Sequence, residues 1–139
     1  MADPKIKMLG RVPLFATCPT KSMELIAQLS DEVDVPDGYV LMRMGDLAQE
    51  FFLIIEGRVR VERDGSTVNT LEPGDFLGEI ALLAEDRRTA TAVSEGPSKL
   101  LVLTRAAFRT LLDTSPEIRA AVMTAVVARI RRLEPDAVS

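Results

Sequence analysis

The sequence predicts a mainly β fold: an antiparallel, jelly-roll-like β-roll with helices at both ends. From about Val33 to Leu103 the chain consists of short β-prone runs, and glycines separate these runs at intervals typical of strand-to-strand turns. The flanking stretches, residues 14–30 and 104–134, instead place apolar residues at helical spacing. Many short strands joined by such turns indicate a sandwich or roll.

The N-terminal and central elements follow from local patterns. Residues 14–30 carry apolar positions consistent with short amphipathic helices. The segment Arg58–Val61 alternates charged and apolar residues, as a strand with one wet face does. Asp64-Gly65 predicts a hairpin turn between that strand and a second strand at Thr67–Leu71.

Two helices are predicted at the C-terminal end. Thr104 can cap the first, and Ser115-Pro116-Glu117 supplies an N-cap, a proline at the first helical position and an acid in the first turn of the second. Pro135 is expected to end this second helix. The second helix carries one apolar stripe, formed by Ile118, Val122, Val126, Ile130 and Leu133.

Composition bounds the function. A chain of 139 residues is sized for one domain, so a single domain over residues 1–139 is expected. The net charge is −4, which does not favour a nucleic-acid partner. The chain has no histidine, which excludes Ser-His-Asp and Cys-His nucleophile systems and histidine-based metal sites, and weighs against metal-dependent cupins.

Few features of the sequence bear on where the protein is located in the cell. The single cysteine, Cys18, forbids an internal disulfide, and we assign it no chemistry. No apolar run approaches the length of a membrane span, and the N-terminus does not resemble a secretory signal. We therefore expect a cytoplasmic protein with no membrane insertion.

The most informative stretch is Gly74–Leu83, followed by Arg87–Thr91. Its glycines let the backbone turn and approach a ligand closely. A short helix after Gly78 would leave the N–H groups near Ile80 and Ala81 free for an anion, which Arg88 can grip through its planar fork. Glu79 is suited to accept hydrogen bonds from sugar hydroxyls. The pattern indicates a ligand with one phosphate charge and a free ribose hydroxyl.

Each part of this pattern has a simpler reading. The glycine segment alone is a tight turn entering a helix, and a single arginine is more often a solvated surface residue. We assign that surface role to Arg87. A P-loop is excluded because Lys-Ser/Thr does not follow Gly78 and Glu79 would repel a polyphosphate. The joint pattern favours ligand binding, because a turn alone needs no downstream Arg-Thr-Ala.

Two segments, Leu77–Leu83 and Arg88–Thr91, resemble the phosphate-binding cassette of the cyclic-nucleotide-binding domain family. The upstream run Phe51–Val61 is similar to the family's strand–glycine–strand signature. The family includes catabolite activator protein, regulatory subunits of cyclic-AMP-dependent kinase and cyclic-nucleotide-gated channels. The resemblance extends over Leu14–Leu133.

The resemblance implies a ligand sensor and not an enzyme, with cyclic AMP as the preferred ligand, cyclic GMP second, and no metal or other cofactor. Glu79 would accept the ribose 2′-hydroxyl, while the Thr89 hydroxyl and the Ala90 N–H would help surround the phosphate. Thr89 leaves the choice of base open. The predicted ligand-binding residues are Gly78, Glu79, Ile80, Ala81, Arg88, Thr89 and Ala90.

The resemblance also implies a base pocket and a lid. Val61 and Leu71, ordinary core residues by default, would line the base pocket. Leu133 and Ile130, on the C-terminal helix, would cover the base, and movement of this helix would be the output signal. The same helix could instead serve a homodimer or a partner protein.

Two alternatives stay open. One is a degenerate domain that keeps the fold but acts as an interaction or dimerisation module without nucleotide; intact Glu79 and Arg88 weigh against it. The other is a fragment of a larger transcription factor or channel, which the sequence does not separate from a free-standing sensor.

Overall fold

The computed structural model describes residues 4–78 and 87–133, with side chains described for 5–78 and 87–128. The helical elements are α1 (Pro4–Leu9), a 3-10 turn (Pro13–Phe15), α2 (Thr20–Leu29), α3 (Arg105–Thr114) and α4 (Pro116–Leu133). The strands are β1 (Asp31–Val35), β2 (Val40–Met42), β3 (Glu50–Arg63), β4 (Ser66–Leu71), β5 (Phe76–Leu77) and β6 (Thr91–Thr104).

The centre of the fold is a long antiparallel ribbon of β3 and β6. β1 and β2 pair one after the other with the far edge of β6, and β5 and β4 pair one after the other with the far edge of β3. All described strand pairs are antiparallel. The predicted β-roll with flanking helices is therefore confirmed, with its first strand beginning at Asp31 and its last ending at Thr104.

The ribbon is irregular at its middle. Gly57 has φ +92, and a Cβ built on it would lie 2.3 Å from the Ser98 Oγ. The β3–β6 register shifts between Ile54 and Glu56 and again between Glu56 and Arg58. At the first shift, Ile54 pairs with Leu100 but Glu56 pairs with Lys99, so the alternating set of β3 residues that faces inward changes. Ile54 and Val59, five residues apart, consequently pack in the same interior cluster although strict alternation would place them on opposite faces.

Two apolar cores result. One joins the helices to the outer face of the first half of the ribbon and contains Phe15, Ile26, Phe51, Leu53 and Phe108, among others. The other fills the roll and contains Phe52, Ile54, Val59, Val61, Leu71 and Leu100, among others. In the first half of β3, Phe51 and Leu53 belong to one core and Phe52 and Ile54 to the other, so both faces are buried there and the sequence is a continuous apolar run.

Several local elements predicted from sequence are confirmed, whereas the short helix predicted after Gly78 lies outside the described residues. Asp64 and Gly65 have φ values of 53° and 82°, the left-handed pair that a tight hairpin needs. The Thr104 side chain accepts from the Ala107 N–H, and the Ser115 Oγ accepts from the Ile118 N–H at 3.2 Å. α1 was not predicted, because six residues are too few to establish helical periodicity.

The C-terminal stripe is buried as far as the side chains are described: Ile118, Val122 and Val126 belong to the helical core. No helix in the described ranges is both long and apolar enough to cross a lipid bilayer.

Candidate functional site

The candidate site begins at Gly78, directly after β5. Its φ is +97, and a Cβ added there would lie 2.8 Å from both the Glu50 carbonyl oxygen and an Arg88 guanidinium nitrogen. Only glycine meets both the left-handed backbone and the close approach without displacing a neighbour. The sequence predicts that Gly78 is needed for its backbone, and these two features are the physical reason.

Arg88 is a buried cation, with 4% of its surface exposed. Its Nη1 donates to the Gly78 carbonyl at 2.8 Å, and its Nη2 donates to the Glu50 carbonyl. These two carbonyls lie at the end of β5 and the start of β3. Each carbonyl oxygen accepts a hydrogen bond from a different guanidinium nitrogen, so the two bonds fix the orientation of the guanidinium plane.

The main chain of Arg88 is held as firmly as its side chain. Its N–H donates to the Asp46 carbonyl at 2.8 Å, and its carbonyl accepts from the Gly45 N–H at 2.9 Å. The loop between β2 and β3 therefore positions the segment that enters β6. Sequence reasoning did not find Glu50, Gly45 or Asp46, because their contribution here is through backbone atoms.

Arg87 lies on the other side of the chain. It is exposed, and its Nη1 donates to the Gly45 carbonyl at 2.9 Å. The structure thus separates the neighbouring arginines: Arg88 is directed inward and Arg87 toward solvent.

The two residues after Arg88 also alternate between the solvent side and the interior of the fold. Thr89 is exposed and its carbonyl accepts from the Arg63 Nε at 3.3 Å, whereas Ala90 is fully buried. Ala90 packs in the roll interior with Val61 and Leu71, which are 1% and 6% exposed. Arg88 therefore lies at the edge of an apolar interior to which both predicted base-pocket residues belong.

Asn69 is a polar residue beside that interior that sequence reasoning missed. It pairs with Val61 across the β3–β4 ladder and, two residues from Leu71, shares its face of β4. Its side chain is half-buried, and its Oδ1 accepts from the Thr70 N–H at 2.9 Å. Its position two residues before Leu71, on the same face of the predicted strand, is the signal that could have found it.

Several predicted site residues lie outside what is described. Glu79, Ile80 and Ala81 fall in the gap at 79–86, and the side chains of Ile130 and Leu133 are beyond the described range although their backbone is part of α4. Of the predicted site residues that are described, the structure brings together Gly78, Arg88, Ala90, Val61 and Leu71.

The described part of the chain offers little other chemistry. Burial raises the pKa of the Cys18 thiol, and the nearby Glu117 carboxylate raises it further, so this thiol stays protonated at neutral pH. Among the described residues, no three His, Cys, Asp or Glu side chains are grouped to hold a metal ion.

Comparison with known proteins identifies the class of this fold and site. The family model for the cyclic nucleotide-binding domain matches residues 32–115. The chain belongs to the cyclic nucleotide-binding domain family.

The similar proteins are of several kinds. A cyclic nucleotide-gated potassium channel of Mesorhizobium japonicum is 36% identical over 115 residues, which is 81% of this chain and 31% of that protein. A cAMP-dependent protein kinase regulatory subunit of Dictyostelium discoideum is 39% identical over 94 residues, covering 62% of this chain and 29% of that protein. The crystal structure of Thermus thermophilus catabolite activator protein superposes with a TM-score of 0.80 at 29% identity, covering 89% of this chain and 61% of that one.

The chain spans between 15% and 34% of the length of the curated relatives described as kinases, kinase subunits and channels. The similarity therefore concerns the regulatory domain that these proteins share. The described residues of this chain form that domain's β-roll and flanking helices.

Proposed function

We propose that this chain is a regulatory sensor that binds a cyclic nucleotide, with cyclic AMP preferred over cyclic GMP. The observation that carries the proposal is Arg88, a buried guanidinium oriented by the Gly78 and Glu50 carbonyls at the edge of an apolar interior. A guanidinium held in this way can bind a phosphate through its planar set of N–H donors. A phosphate beside Arg88 would place the base of the same ligand in the apolar interior.

The remaining phosphate and ribose contacts belong to this proposal. The N–H groups of Ile80, Ala81 and Ala90 and the Thr89 hydroxyl surround the phosphate oxygens, as helix N-termini and turns do for anions. The carboxylate of Glu79 accepts the ribose 2′-hydroxyl. The proposal gives this site no catalytic group and no metal or other cofactor.

Base selection is proposed to involve Asn69. Its amide carries N–H donors as well as a carbonyl acceptor and lies on the same face of β4 as Leu71. Because phosphate and ribose are common to both ligands, discrimination between adenine and guanine must come from groups such as Asn69, or from Thr89 acting on a syn base.

The output is proposed to be movement of α4, with Ile130 and Leu133 covering the bound base. A ligand shifts such an equilibrium only by its differential affinity for the two helix positions. We further propose that residues 1–139 act as one cytoplasmic domain.

The outer face of α4 is proposed to serve a homodimer or a partner protein. Met123 and Val127 lie one helical turn apart there and are 39% and 53% exposed. A degenerate domain that binds no nucleotide would use this surface alone.

Calorimetric titration with cyclic AMP and with cyclic GMP tests the proposal. We expect saturable binding of both, tighter for cyclic AMP, and a thermal shift of several degrees at a hundredfold excess, where linkage supplies about 2.7 kcal/mol. The Arg88→Ala variant, checked for folding by circular dichroism, is the control for site-specific binding. No binding of either nucleotide at millimolar concentration would overturn the sensor proposal in favour of the interaction module.

A further inference from the structure

A small cavity opens on the inner face of the roll, between β1, β2, β3 and β6. Its volume is about 170 Å³, and its walls include Val33, Phe52, Leu100 and Val102. Pockets for drug-sized ligands usually occupy ~300–1,000 Å³. This cavity is therefore suited to a side chain or a small molecule and not to a nucleotide.

The strand register places two acidic residues beside this apolar cavity. Asp31 pairs with Val102 across the β1–β6 ladder, and Val102 pairs with Phe52 across the β3–β6 ladder, so the three form one row on the sheet. Glu50, two residues before Phe52, shares its face of β3. Asp31 and Glu50 are both lining residues of the cavity.

Tyr39 completes the entrance. It lies in the turn between β1 and β2, lines the cavity and is 48% exposed. The cavity thus combines aliphatic walls, an aromatic ring and two carboxylates. Neutral apolar ligands need no carboxylate, and inorganic cations are not suited to aliphatic walls.

We propose that this cavity binds an alkylammonium group, with its alkyl chain between the aliphatic walls and its ammonium at Asp31 and Glu50. Lysine side chains divide in this way between apolar surface and a charged end. Charge complementarity and cavity size both favour this class. A free aliphatic amine and a lysine side chain of a protein segment present the same chemistry.

The proposed amine site shares one residue with the Arg88 region. The Glu50 carbonyl accepts from the Arg88 Nη2, while the Glu50 residue also lines the cavity. The amine proposal does not require a nucleotide to bind. Its failure would consequently leave the proposed sensor function untouched.

NMR titration of the 139-residue chain, with labelled valine and leucine methyl groups, tests the proposal. The probe is n-butylammonium chloride, and n-butanol is its neutral counterpart. We expect saturable shifts at the methyl groups of Val33, Leu100 and Val102 with butylammonium, and at least about threefold weaker binding of butanol, because a charge-assisted contact at a half-exposed carboxylate adds a modest free energy. Equal affinities for the two probes would overturn the proposal.

Protein variants provide the second comparison. Glu50→Gln preserves size while removing the charge, so butylammonium affinity should fall about threefold to tenfold. Glu56→Gln, an exposed carboxylate of the same strand that does not line the cavity, is the matched control and should leave affinity unchanged. Equal losses in both variants would mean that butylammonium responds to general surface charge, against the proposal.

Two further measurements complete the test. Val102→Phe should fill the cavity and abolish the methyl shifts; a folded variant that still binds overturns the location. If this variant does not fold, the butanol and Glu50→Gln comparisons decide. Nα-acetyl-lysinamide, used as a probe, distinguishes the sources: binding at least as tight as that of butylammonium supports a lysine side chain, and weaker binding supports a free amine.

Discussion

The Arg88 Nη1 donates to the Gly78 carbonyl at 2.8 Å and so joins the two ends of a segment that sequence analysis predicts to hold a phosphate. Gly78 follows β5, and Arg88 lies three residues before β6 begins. The contact forms only because Gly78 lacks a Cβ, which would otherwise lie 2.8 Å from the same nitrogen. The glycine and the arginine of the motif are therefore mutually dependent.

Arg88→Ala is expected to be the most damaging single change for nucleotide binding. It removes a charge-assisted contact of roughly 1.5–3 kcal/mol and leaves a bound phosphate without its cation, so affinity should fall tenfold to several-hundredfold in calorimetry. Arg87→Ala is the matched control, since the Arg87 side chain is exposed and donates to the Gly45 carbonyl in a loop. Similar losses of affinity in both variants would show that the phosphate contact is not specific to Arg88 and that the roles of the two arginines are wrong.

Gly78→Ala is expected to destabilise the fold more than Gly38→Ala does. Both glycines have positive φ, so each alanine carries a left-handed backbone penalty of about 1–2 kcal/mol. Only at Gly78 does the added Cβ also meet close neighbours, because nothing lies within 4 Å of a Cβ at Gly38. Urea unfolding measures the difference, and equal free energies of unfolding for the two variants would refute the role given to close approach.

Glu79→Ala is expected to weaken cyclic AMP clearly, while 2′-deoxy-cyclic AMP binds wild type and variant with similar affinity. If the carboxylate's partner is the 2′-hydroxyl, removing either one deletes the same interaction, and the two changes are not additive. Calorimetry on the four protein–ligand combinations measures this coupling. A strong loss of the deoxy ligand on mutation would show that Glu79 shapes the loop instead.

Truncation after Arg129 tests the proposed lid. It removes Ile130 and Leu133 but keeps the buried stripe Ile118, Val122 and Val126, so the roll should stay folded. Covering the base with a leucine side chain is worth roughly 1.5–3 kcal/mol, and affinity for cyclic AMP should fall about ten- to a hundredfold. A dimer formed through this helix should weaken in parallel, as sedimentation would show. Unchanged affinity would limit α4 to a core or dimer role.

The sequence by itself determined several local elements and the family. The Asp64-Gly65 hairpin, the caps at Thr104 and Ser115 and the apolar stripe of α4 depend on residues close together in the chain. Their side chains and backbone preferences specify the structure directly. The motif around Gly78 and Arg88 could also be predicted from the sequence, because few other residue types can replace a glycine or an arginine in these roles.

Only the tertiary structure decided which distant groups meet. The Arg88 side chain donates to the Glu50 carbonyl, and its main chain bonds to backbone atoms of Asp46 and Gly45. Nearly every residue has the same backbone groups, so these contacts leave no signal in the sequence. The inward direction of both Ile54 and Val59 likewise depends on the register shift between Ile54 and Glu56 in the pairing of β3 with β6. Side-chain patterns specify elements, whereas backbone contacts across the sheet exist only once register and curvature are set.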